Sequence, residues 1–284
     1  MIGEFLESWD LFQNTYIAAC LMVVLLSLVG VLVVGRDQIF IGAAVSKASA
    51  FGIALGMWAG TVPILEKFEW VHSEAFLLVL SGVFSVLAAL IVSRSSEERG
   101  SQEAITGWVF LVSGSVAILV VYHSPHSLED IHRLLSTSII GASAGDVWMF
   151  AVLTTVVATS IFAFRSRLIL VLTDTEMARA VGMKTRAWEM GQSCLLGLTV
   201  GVCLHSSGLP YTFGCLVLPV LAARNLCRRP RPVFIVAPLV GLATCIGAFV
   251  LAHHYDQPPG QVAVALLCAV VAVTAGWRQV RKAN

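Results

Sequence analysis

The chain has 284 residues, of which 57% are hydrophobic and only 12% charged, with a formal net charge of +1 and a mean hydropathy of +0.85. Soluble globular domains carry about 25% charged residues, so the composition excludes an ordinary soluble enzyme. Without a basic patch interleaved with aromatics it also speaks against a nucleic-acid partner. The apolar excess falls in runs of membrane-spanning length, which defines an all-α, polytopic membrane protein.

The N-terminal MIGEFLESWD carries Glu4, Glu7 and Asp10 and no basic residue. A cleaved signal peptide wants a positive n-region, so the first apolar run is expected to be a retained helix. Nine runs follow in chain order, at 14–35, 39–62, 74–93, 105–122, 147–165, 188–205, 209–225, 233–253 and 260–277. Eight is the alternative count, because only SSGLP separates the sixth from the seventh.

With the N-terminus outside and the C-terminus in the cytoplasm, fifteen of the eighteen lysines and arginines fall inside. Lys67 and Arg133 fall outside, and Lys47 lies within a span. That asymmetry sets the expected orientation. The seven cysteines all lie in apolar runs or at their edges, with no CxxC pair, and read as small packing residues.

The second run, FIGAAVSKASAFGIALG, holds Lys47 near its middle with no neighbouring carboxylate. A charge at the bilayer centre costs about 2.5–3.5 kcal/mol on insertion scales. Gly52, Gly56 and Gly60 recur at four-residue spacing, which allows close helix approach in lipid. The Lys47 helix is therefore expected to be enclosed by neighbours.

The loops assigned to the outside are rich in imidazole and carboxylate. They hold His72, His123, His126, His132, His253 and His254, with Glu66, Glu69, Glu74, Glu129, Asp130, Asp146 and Asp256. This ligand set suits divalent cations. Within the polar outer loop 123–146, the residues His123, His126, Glu129, Asp130 and His132 are candidate metal ligands. Their spacing is nonspecific and Pro125 interrupts it, so solvated loop histidines are the competing reading.

The inner segment 172–191 predicts a short helix. Asp174 or Thr175 serves as N-cap, Glu176 lies in the first turn, and Gly182 is the stop. It is expected to expose Ala178 and Ala180, and so short a helix needs something to dock on. An interfacial linker helix on lipid headgroups is the alternative. In the seventh span, Pro219 frees a backbone carbonyl and predicts a kink. The chain has no G-x-x-x-x-G-K-[ST] phosphate loop, no G-x-S-x-G elbow and no H-E-x-x-H, which removes the usual signals of an ATPase or a membrane hydrolase. No Asp or Glu relay lies within the spans, which weighs against an ion-coupled pump.

Four segments occur in order at the matching spans: FIGAAVSKASAFGIALG, DTEMARAVGM, SGLPYTFGCLVLPVLAARNL and YDQPPGQVAVAL. By these the chain resembles, over nearly its whole length, the permease subunits of the ABC transporters for zinc, manganese and iron, the ABC-3 family. The resemblance implies one transmembrane domain, 1–284, in the bacterial inner (plasma) membrane, with a coupling-helix segment at about 172–186. It implies a pore formed by two permease subunits. Asp174, Glu176, Ala178, Ala180 and Gly182 would be presented to a separate ATPase that binds the ATP, and an extracytoplasmic metal-binding protein would deliver the cargo. A divalent metal ion would then be substrate, and the chain itself would hold no cofactor.

The resemblance also marks a departure. Where many relatives carry an Asp and, four residues on, a His facing the pore, this chain has Ala43 and Lys47. Three explanations stand beside one another: a sister subunit that keeps the ligands in a heterodimer, which we favour; a buried, neutral lysine; or a cargo other than a bare metal ion. A non-transporting or regulatory partner that has lost the intramembrane site is the rival functional class.

Overall fold

The computed structural model describes residues 9–62, 68–94, 99–122 and 142–283. Among these the regular elements are all helical: α1 (Trp9–Gly35), α2 (Ile39–Ala59), α3 (Glu74–Arg94), α4 (Arg99–Tyr122), α5 (Ala144–Thr173), α6 (Thr175–Ala180), α7 (Thr185–Ser207), α8 (Leu209–Leu226), α9 (Pro230–His254) and α10 (Pro259–Ala283), with a 3-10 turn at Glu69–His72. Nine of these are long and apolar enough to cross a membrane, and α6 is the exception. The nine runs read from hydropathy are thus recovered as helices.

The largest boundary difference is in α5. Hydropathy ended the fifth span at 165, at Arg165 and before Arg167, but the helix continues to Thr173. Its 30 residues reach about 45 Å at 1.5 Å per residue, longer than the roughly 30 Å hydrocarbon core. Leu168 and Val171 are buried in this extension, so the two arginines sit on a helix held by its other face. At the opposite end Ser143 is the N-cap, and a capping box with Asp146 closes the first turn: the Ser143 amide donates to the carboxylate at 2.8 Å, and the Asp146 amide donates to the Ser143 hydroxyl at 3.2 Å.

The helices group into two compact units. Of the described residues, the first comprises 9–37, 142–183 and 213–283, and the second 38–62, 68–94, 99–122 and 184–212. In the first, α1 packs against α5 and α9, and α9 against α10. Met22, Leu25, Leu26 and Val29 of α1 are fully buried. Gly30 is required by the approach of α8: a Cβ there would overlap the Leu216 carbonyl oxygen. Pro219 of α8 faces Gly241 of α9, where a Cβ would meet its ring carbon at 3.3 Å.

In the second unit α2 packs on α3, α4 and α7, and α3 packs on α7. The seam is built from small residues. A Cβ at Gly52 would lie 2.6 Å from the Leu80 carbonyl oxygen, and one at Gly197 2.6 Å from Val86 Cα. Ser81 Oγ donates to the Gly201 carbonyl at 2.7 Å, and Ser85 Oγ reaches the Gly197 carbonyl at 2.6 Å. A serine hydroxyl has one proton, so Ser49 is the donor in its 2.6 Å bond to Ser81. Hydrogen-bonded small residues are how helices associate where lipid offers no hydrophobic driving force. The glycine repeat on α2 divides its work: Gly52 and Gly56 face α3, while Gly60 is the C-cap.

Candidate functional site

The short helix α6 is built by its caps. Asp174 ends α5, its amide donating to Leu170 O at 2.9 Å, and begins α6, its carboxylate accepting from the Met177 amide at 2.9 Å. The choice between Asp174 and Thr175 as N-cap thus falls to Asp174; the Thr175 hydroxyl instead donates back to Val171 O at 3.1 Å. At the other end the Gly182 amide donates to Arg179 O at 2.9 Å and the Met183 amide to Ala178 O at 3.1 Å. This is a complete Schellman motif, and Gly182 takes the left-handed backbone it needs, φ 83°.

One expectation about this helix is corrected. Ala178 is fully buried and not presented outward, on the face of the helix turned to the protein, while Ala180 and Glu176 are exposed. The outward apolar groups are Met177 and Val181, 57% and 67% exposed and four residues apart on one face. Nothing in the sequence singled them out, since an apolar pair four residues apart is common beside membrane spans. A helix this short outside the spans, with an apolar pair turned outward, can dock on a partner.

The second region lies in the other unit. Ala43 and Lys47 are both half-buried, on the face of α2 that also carries exposed Phe40. The Lys47 stem packs beside Gly114 of α4, and its Nζ lies 5.8 Å from the Phe110 ring centroid, within cation–π range. Phe110 in turn packs against Phe40 with the rings tilted by 42°, 5.3 Å between centroids. Lys47 makes no ion pair among the described residues. Phe110 and Gly114 were not legible as its partners, since a Phe and a Gly one turn apart are common in any apolar helix. The arrangement holds a cation on an aromatic platform and offers no metal-ligating atom at Ala43 or Lys47.

The outer-loop candidates His123, His126, Glu129, Asp130 and His132 lie outside the described residues. Among the described residues no group of three or more His, Cys, Asp and Glu side chains could hold a metal ion. The YDQPPG segment has a clear backbone role. Asp256, at φ 50°, is the left-handed residue after α9, and the Gln257 amide donates to Ala252 O at 3.0 Å. Pro259 then opens α10. The seven cysteines are free. Burial pushes the Cys227 thiol up, so it is protonated at neutral pH and is neither a ready nucleophile nor a ready metal ligand.

A model of the ABC 3 transport family matches residues 8–278. The chain is 24% identical, over 254 residues, to the membrane protein of the chelated iron transport system of Yersinia pestis, covering 89% of this chain and 80% of that one. It is 22% identical, over 255 residues, to a membrane protein of the manganese transport system of Halalkalibacterium halodurans, covering 90% and 83%. Among solved structures, PsaBC from Streptococcus pneumoniae in complex with Fab matches with a TM-score of 0.79 at 19% identity, over 96% of this chain and 95% of that one. That likeness carries the fold.

Proposed function

Because the chain belongs to the ABC 3 transport family, as a multi-pass membrane permease subunit whose ATPase is a separate chain, we propose that it forms part of the pore of a bacterial importer for divalent metal ions, manganese, zinc or iron. The relatives named for iron and manganese transport support the cargo class. The observation that carries the coupling role is α6: a doubly capped helix outside the spans with Met177 and Val181 turned outward. Seated in a groove of the ATPase, it would transmit nucleotide-driven closure to α5, from which it is separated only by Asp174. Metal would be delivered by an extracytoplasmic binding protein. The N-terminus lies outside, following the basic residues at the inner ends of the spans.

The permease pair is a heterodimer. Energetics favour it: a lysine at mid-membrane costs about 2.5–3.5 kcal/mol, and a half-exposed cation–π contact returns about 0.5–1 kcal/mol. The remainder calls for water or a carboxylate from a sister subunit, which would also supply the metal ligands missing at Ala43 and Lys47. The same departure favours a second reading, a regulatory subunit that does not line the metal route.

The test is metal accumulation in cells that express the complete transporter and lack their own uptake systems. Met177→Asp combined with Val181→Asp is expected to reduce uptake to background and to release the ATPase on purification. Retained uptake with the ATPase still bound would overturn the coupling role. Lys47→Ala is expected to lower uptake, and normal transport by it would show Lys47 to be merely tolerated. Purification with all co-encoded proteins that yields a single permease type would sink the heterodimer.

A further inference from the structure

Four arginines from three parts of the first unit converge on one cavity. Arg224 comes from the last turn of α8, Arg228 and Arg229 from the link to α9, and Arg278 from the last turns of α10. The cavity has a volume of about 540 Å³ and sits where the apolar helices α1, α5 and α8 end and α9 begins. Its other wall is apolar, with Leu172, Val233 and Phe234. That volume lies within the range of small-ligand sites, about 300–1,000 Å³.

The charges are poorly compensated. Arg224 donates to Val34 O at 2.8 Å and to the Asp37 carboxylate at 3.2 Å, an exposed pair. Arg278 donates to the neutral Asn225 amide oxygen at 3.3 Å. Arg228 and Arg229 have no acidic partner among the described residues. All four arginine side chains are exposed, so an anion can reach them from the water side, and their shared positive field favours one that sits among them. Guanidinium groups suit phosphate oxygens, which they bind in bidentate fashion. Basic pockets between spans at the membrane surface are where anionic lipid headgroups bind.

We propose that this cavity is a binding site for the headgroup of an anionic phospholipid. The arginines hold its phosphate, and the first methylenes of the acyl chains lie along the Leu172, Val233 and Phe234 wall. Lipid retention is read without metal or ATP, so its test stands apart from that of transport.

The assembled transporter is placed in nanodiscs containing phosphatidylglycerol and phosphatidylcholine. The phosphatidylglycerol that stays bound after release into detergent is then counted by native mass spectrometry. Wild type is expected to retain it in preference to phosphatidylcholine. Arg228→Gln with Arg229→Gln should weaken retention roughly thirtyfold, and Arg228→Lys with Arg229→Lys should restore most of it. An unchanged unfolding midpoint of the glutamine variant in pure phosphatidylcholine discs separates lost binding from lost folding. Equal retention by wild type and the glutamine variant would overturn the proposal. So would displacement by millimolar inorganic phosphate, which would make the ligand a soluble anion. Absence of retained lipid from the assembled complex would overturn it too, leaving a protein partner as what covers the cavity.

Discussion

The two units pack apolar helices by different means. In the second, α2, α3 and α7 meet through glycines and serines, with side-chain hydroxyls bonded directly to the backbone of a neighbouring helix. In the first, α1 is a run of large aliphatics buried almost all round, and close approach is confined to points such as Gly30 against Leu216 and Gly241 against Pro219. One unit is held by hydroxyl bonds across the helix seams, the other by shape. The contrast shows that hydropathy alone, which is high in both, does not tell how a span is gripped.

The largest effects should come where both units depend on a missing Cβ. Gly30→Ala and Gly197→Ala are each expected to cost about 3 kcal/mol, because in both cases the obstacle is backbone that cannot swing aside. The thermal unfolding midpoint of the purified complex reads this, and an unchanged midpoint for either would mean that its helices are farther apart than described. Removing a hydroxyl should separate the units. Ser81→Ala breaks the Ser49–Ser81–Gly201 chain and is expected to cost about 1 kcal/mol. Thr154→Ala in the first unit removes only a 3.4 Å contact to Leu21 O and should move the midpoint far less. Equal losses from the two would erase the distinction between polar and shape-based packing. The smallest effect is expected from Asp37→Asn, which breaks the exposed pair with Arg224 but leaves the Arg224 bond to Val34 O in place. Under about 0.5 kcal/mol should be lost, and less still at high salt.

What could be read from the chain was whatever depends on local chemistry. The nine spans follow from hydropathy. The ends of α6 follow from Asp174 and Gly182, because caps act within three or four residues of themselves. The face of α6 that turns outward did not follow. Ala178 looked presentable and is buried, while Met177 and Val181, which the sequence did not single out, are exposed, since which side of so short a helix meets solvent depends on how α5 ends. Similarly, the glycine repeat on α2 announced close packing but could not name Leu80 and Leu77 as what it packs against.

By itself the sequence determined the membrane character, the number of spans, the family resemblance and the oddity of a lysine at position 47, all consequences of composition, periodicity and motif along the chain. Tertiary structure alone decided that Lys47 rests on Phe110 and Gly114, that Ser49, Ser81 and Gly201 form one hydrogen-bonded chain, and that arginines 224, 228, 229 and 278 share a cavity. The physical reason is the same in each case. A hydrogen bond, a cation–π contact and a charge cluster act over a few ångströms, and residues such as Ser49 and Ser81, 32 positions apart, or Ser81 and Gly201, 120 apart, come within that reach only once the helices have packed.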